Sequence, residues 1–164
     1  MNATTLEQLI SRLGQEALAE VTAWPCDQAK YPAFVDRLRK RYPEPLARAV
    51  IDTHFLRQRA RAKFHDPERM VFDREALEMA SGEAVARYRA ERFRGLSTVT
   101  DLGCGIGADS LALAEVGCRI LAVDHDPIRL RMAEANLAAF GYSGEFFCAD
   151  LLTWQPPVPV NAVF

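Results

Sequence analysis

From Val99 to Ser110 the chain reads V-T-D-L-G-C-G-I-G-A-D-S: an apolar run ending in an acid, a glycine-dense turn, then a helix start. Asp101, Gly103, Gly105 and Gly107 stand at the spacing D-x-G-x-G-x-G, which lets the backbone turn sharply and leaves no side chains between it and a ligand. This stretch predicts an α/β chain whose strand-to-helix turn cradles a nucleotide-like cofactor.

The same glycines satisfy a loose dinucleotide fingerprint, G-x-G-x-x-[GA], from Gly103 to Ala108. A dinucleotide sets its pyrophosphate against the helix N-terminus, where free N–H groups and the helix dipole favour an anion. Asp101 before the turn and Asp109 after it would place two carboxylates beside that pyrophosphate, so the acids suit a cofactor with an ammonium group and no phosphate. The next apolar run, R-I-L-A-V-D, ends at Asp124, 19 residues beyond Gly105, near the position of the carboxylate that accepts hydrogen bonds from ribose hydroxyls. Asp126 with Pro127 already supplies the cap and first residue of the following helix, Pro127 to Phe140, which leaves Asp124 free for a ligand. A third strand, G-E-F-F-C-A-D, closes at Asp150, and V-P-V-N-A-V-F opens a fourth.

On these residues the chain resembles the class I S-adenosylmethionine-dependent methyltransferases, whose first motif is D-x-G-x-G-x-G. The resemblance implies a Rossmann-like doubly wound parallel sheet, of which the first half is present, with strands in the spatial order 3-2-1-4. It assigns Gly103, Gly105 and Gly107 to the cofactor loop and Asp101 to the cofactor's amino-acid end. Asp124 goes to the ribose, Asp150 to the adenine amine and Leu151 to the ring face. The block from Arg61 to Phe93 resembles what precedes this loop in bacterial relatives of the RNA cap guanine-N2 (trimethylguanosine synthase-like) methyltransferases. Phe72 and Asp73 fall where such residues help close the cofactor site, but the family's serine and threonine are absent there, so no role is carried onto them. The acceptor motif of the family, [DN]-P-P-[YFW], is expected beyond Phe164, so no catalytic residue is assigned. The expectation is therefore the N-terminal and cofactor-binding part of a longer methyltransferase acting on RNA. Alone it should be catalytically silent and self-associate through an exposed fourth strand. The rivals are an NAD(P)-dependent oxidoreductase and a non-catalytic RNA-binding or scaffold module on a degenerate nucleotide fold.

Upstream, the pattern is helical. Residues 4 to 24 carry apolar positions at steps of three and four, with Gly14 expected to bend or divide the element. A second helix is expected from about Pro32 to Tyr42, and a third of about 18 residues ends near Lys63. A loop covers Phe64 to Phe72, and residues 73 to 80 and 82 to 94 are helical, with Ala84, Val85, Tyr88 and Phe93 as the packed face. The expected division is an all-helical domain over 1–70 and a cofactor-binding domain over 71–164. Formal net charge is only −2, yet residues 1–95 hold 17 Lys and Arg against 14 Asp and Glu, while 96–164 hold 3 against 8. Nine of the cations and two acids lie between Arg37 and Lys63, and this local excess makes Arg57, Arg59, Arg61 and Lys63 candidates for RNA phosphates. The four cysteines are scattered, with no histidine at ligand spacing, which predicts buried thiols and no metal site. No run of 18 apolar residues and no signal-peptide pattern is present, which excludes a helical membrane span and leads to a cytoplasmic expectation.

Overall fold

A computed structural model describes residues 1–164. The chain opens with two short helices, α1 (Ala3–Ile10) and α2 (Arg12–Val21). They are divided at Ser11, whose hydroxyl accepts the Gly14 N–H and caps α2; the sequence placed the break at Gly14 itself. Gly14 has a different task, because a Cβ there would lie 2.2 Å from the Leu9 carbonyl oxygen. Only glycine lets the two helices turn this tightly.

Helix α3 (Tyr31–Leu38) is shorter than expected. The N–H groups of Arg41 and Tyr42 both return to the Leu38 carbonyl and close a turn before Pro43. Helix α4 (Glu44–Ala60) then runs through the middle of the helical unit, buried on most of its circumference. After a 3₁₀ turn at Pro67–Arg69 come α5 (Arg74–Met79), capped by Asp73, and α6 (Glu83–Ala90). The packed face of α6 is Ala86 and Ala90; Val85 and Tyr88, expected inside, are 48% and 78% exposed. Alanines win that side because α6 packs against α7 (Ala108–Glu115), and small residues let two helices approach closely.

The sheet comprises β1 (Thr98–Leu102), β2 (Arg119–Asp124), β3 (Gly144–Cys148) and β4 (Ala162–Val163), all parallel in the order β3-β2-β1-β4. The chain leaves β1 toward β2 and β3 and returns to the opposite side of β1 at β4, so the strand order reverses at β1. Crevices at such a reversal, outside the carboxyl ends of the strands, are where open α/β sheets bind ligands.

Helix α8 (Pro127–Ala139) is buried on two sides. Leu130 and Ala133 face the sheet, while Met132, with Ile128 and Ala135 beside it, joins the core of the helical unit. That core also takes in Phe72, Ala76 and Leu77, and Ile106 and Ala108 from the glycine turn, so apolar packing is continuous across residue 70. Cys104 and Cys118 are buried as expected, whereas Cys26 and Cys148 are exposed. No helix is long and apolar enough to cross a membrane.

Candidate functional site

The glycine turn hangs from the end of β1. The N–H groups of Gly103 and Cys104 both donate to the Val123 carbonyl, and Gly107 N–H closes on the Cys104 carbonyl. Gly103, Gly105 and Gly107 have φ of +79°, +55° and +78°, a region that side chains disfavour. Their surroundings differ. A Cβ on Gly107 would come within 3.0 Å of Leu137 and 3.1 Å of Ala133, so this glycine permits α8 to pack against the turn. A Cβ on Gly105 would meet nothing within 4 Å, so its bare backbone faces open space. The side chain of Leu151 lies 3.6 Å from the Cβ position of Gly103, which brings the end of β3 onto the same turn.

Two buried carboxylates flank the turn. Asp101 accepts a short hydrogen bond from the Ser110 hydroxyl at the start of α7. Asp124 accepts the Gly105 N–H at 2.9 Å through one oxygen and the Asp126 N–H at 2.9 Å through the other. The acid closing β2 therefore braces the turn directly, in addition to any contact with a ligand. Asp126 caps α8 through the N–H groups of Ile128 and Arg129. Asp150 is exposed and accepts the Leu152 N–H, the geometry of a local turn.

Burial raises the pKa of Asp101 to about 6, against the hydrogen bond from Ser110 and helped by the carboxylates of Asp109 and Asp124. Burial likewise pushes the Cys104 thiol up. Asp109 has one buried oxygen without a hydrogen-bond partner, and its nearest cation is Arg89, at 3.7 Å. Three carboxylates around one glycine turn disfavour a pyrophosphate there and favour a cationic ligand group.

Sequence reasoning missed the elements that cover this face. Arg129, one turn into α8, reaches Glu75 of α5 at 3.0 Å and touches the Met79 sulfur, so α5 lies against the N-terminal end of α8. Asn136, fully buried, accepts the Val71 N–H and donates to the carbonyls of Val71 and Ile106. It ties the segment before α5, the glycine turn and α8 together. An asparagine flanked by alanine and leucine on a helix, A-N-L, was the available signal.

The basic candidates are dispersed. Arg57 is buried, with its guanidinium donating to the Met70 carbonyl, and burial lowers its pKa to about 10. Lys63 donates to the carbonyls of Leu77, Glu78 and Ala80, where it neutralises the C-terminal end of α5. These two are structural and do not belong to a solvent-facing cationic surface. Arg59 and Arg61 are exposed and pair with Glu78 and Glu68.

Residues 99–164 match the family model described as a methyltransferase domain, and residues 2–60 match one described as a domain of unknown function (DUF8688). The chain is 38% identical over 120 residues to the uncharacterized S-adenosylmethionine-dependent methyltransferase Rv3037c of Mycobacterium tuberculosis, covering 70% of this chain and 32% of that protein. Over 56 residues it is 39% identical to the ribosomal RNA small subunit methyltransferase J of Actinobacillus pleuropneumoniae, covering 34% of this chain and 22% of the relative. Among solved structures, a protein of Porphyromonas gingivalis W83, provisionally described as a methyltransferase, superposes with a TM-score of 0.60 at 23% identity, over 80% of this chain and 34% of that one. This last likeness is one of fold. The chain spans about a third of the length of the mycobacterial relative.

Proposed function

We infer that this chain, whose residues 99–164 carry the methyltransferase domain, is the N-terminal and cofactor-binding part of an S-adenosylmethionine-dependent methyltransferase that acts on RNA. One observation carries the cofactor reading: a bare glycine turn at the strand-order reversal, with the buried carboxylates of Asp101 and Asp124 on either side. The residues fit such a cofactor. Gly103 and Gly105 leave the backbone open, Asp101 offers a carboxylate to an ammonium group, and Asp124 places a second carboxylate on the other side of the turn. Leu151 supplies an apolar surface against Gly103.

When bound, the cofactor supplies a sulfonium methyl that is already activated. What the protein contributes to such a reaction is alignment rather than strong acid or base catalysis. The braced turn, α8 packed through Gly107, and α5 held to Arg129 provide rigidity on that face. An NAD(P) reading fares worse, because its pyrophosphate would sit among Asp101, Asp109 and Asp124. RNA as the acceptor draws support from the ribosomal RNA methyltransferase among the relatives.

Titrating full-length protein with S-adenosylhomocysteine and NADH by calorimetry should give saturable binding of the first and none of the second. The reverse result would sink the reading. Tritiated methyl transfer to bulk RNA should label RNA and not protein in the same reaction.

A further inference from the structure

The helical unit contains a cavity of about 670 Å³ that the glycine turn and its carboxylates do not line. One wall is a stripe of α4 at helical spacing, Arg48, Asp52, Phe55 and Arg59. The start of α1 and the segment Phe72–Arg74 form the other. Tyr31 also lines the cavity, its ring 6.2 Å from that of Phe55 and inclined to it by 31°. Burial and the neighbouring Asp52 carboxylate raise the Tyr31 phenol pKa.

The charges here are unusually open. Arg48 pairs with Glu44 of its own helix, and Arg59 reaches Glu78 only at 3.6 Å. Asp52 and Arg74, both exposed and lining the cavity, make no ion pair, and the Asp52 carboxylate has only the Tyr31 phenol beside it. An apolar ligand would leave these groups desolvated without partners, and a simple anion would face Asp52. A ligand that satisfies all of them has a flat ring with N–H donors on one edge and an anionic group at a distance from it. A nucleotide has that chemistry. Stacking on aromatic side chains holds unpaired bases, while arginines take the phosphate. A carboxylate matches two adjacent N–H donors best, and among the RNA bases guanine presents them.

We propose that this cavity holds one unstacked nucleotide of single-stranded RNA, its base against Tyr31, its donor edge on Asp52 and its phosphate between Arg59 and Arg74. The proposal rests on the RNA reading above. It also gives the helical unit a position in the reaction, because Phe72–Arg74 leads directly into α5, which packs on α8 beside the glycine turn.

The test is fluorescence anisotropy of full-length protein with labelled single-stranded RNA decamers, one guanine-containing and one of uridine only, with free guanosine monophosphate as competitor. The guanine-containing RNA should bind more tightly. Tyr31→Ala should weaken it by about 5- to 100-fold, as expected of lost stacking, while Tyr31→Phe retains affinity and guards against a folding defect. Asp52→Ala should abolish the guanine preference with little effect on the uridine RNA. Arg74→Gln should reduce the slope of log affinity against log salt by about 0.7. S-adenosylhomocysteine binding should persist in all of these variants. If RNA binds but none of the variants changes affinity, preference or salt slope, the cavity assignment is wrong and the RNA reading stands. If the cofactor binds and RNA does not, the proposal and the RNA reading both fail while the methyltransferase reading survives. If guanosine monophosphate binds and RNA does not, the ligand is a free nucleotide and the RNA assignment is overturned.

Discussion

Asp101 is held in a state that costs the fold stability. An aspartate titrates near 3.8 when unfolded, and in the folded chain burial lifts this one to about 6. Between those values the folded chain keeps a proton that the unfolded chain has released, so rising pH favours unfolding, and the penalty is fully developed above about 6. Asp101→Asn keeps an acceptor for Ser110 and removes the charge. Its melting temperature should therefore exceed that of the parent by a margin that grows from pH 4 to pH 7 and then levels; a constant margin would show that Asp101 does not titrate in this range. On the proposed function the same change should weaken S-adenosylhomocysteine binding at pH 7, because an ammonium group gains only from the ionised acid. Asp124 has a second role that its place in the sequence does not disclose, since it accepts two backbone N–H groups of the turn. Asp124→Ala should cost about 1.5–3 kcal/mol of cofactor affinity and should also lower thermal stability, measured by calorimetry and by thermal melting.

The turn and its two flanking elements predict a contrast between glycines. Gly107→Ala combines a left-handed backbone with contacts of 3.0–3.2 Å to α8, and should destabilise by about 2–4 kcal/mol in denaturant unfolding. Gly105→Ala has the backbone cost alone, about 1–2 kcal/mol, yet its methyl enters the open side of the turn. It should impair cofactor binding more than stability, and the opposite ranking would remove Gly105 from the site. These elements were legible because their signals are local: a strand ending in an acid, glycines at alternate positions, an Asp directly before a proline-led helix. The strand order came with the family resemblance that these residues carry, and the acids at Asp101 and Asp124 lie at the ends of their strands, whereas Asp150 lies beyond β3 in a local turn. What failed depended on neighbours. Hydrophobic residues at helical spacing selected Val85 and Tyr88 on α6, although the helix beside it admits only Ala86 and Ala90. Arg57 was counted as surface charge because composition cannot show that α4 is enclosed, and the cap at Ser11 was obscured by a more conspicuous glycine three residues on. The α5 cover was missed because Arg129, Glu75 and Met79 are far apart in the chain and join only through tertiary contact.

At the scale of the whole molecule, the helical unit shares one core with the glycine turn and α8, while the apolar residues of the strands pack in a second cluster. Phe72 and Leu77 pack in the same cluster as Ile106 and Met132, and Arg131 of α8 pairs with Glu7 of α1 at 2.7 Å. Asn136 adds three buried hydrogen bonds, two to Val71 across the junction and one to Ile106 of the glycine turn, and removing its side chain leaves Val71 N–H and the carbonyls of Val71 and Ile106 without partners. Each unsatisfied buried group costs about 1–3 kcal/mol, so Asn136→Ala should lose at least about 3 kcal/mol. The chain's two tryptophans make the coupling measurable. Trp24 packs on Phe34 in the helical unit, and Trp154 packs on Phe147 of β3, so Trp154→Phe and Trp24→Phe leave one fluorophore in each region. If the core is continuous, the two single-tryptophan proteins should unfold with coincident midpoints, and Asn136→Ala should lower both together. Midpoints that separate, with the Trp24 signal unmoved by Asn136→Ala, would mean that the helical unit folds independently and that its contact with the glycine turn does not steady the cofactor face.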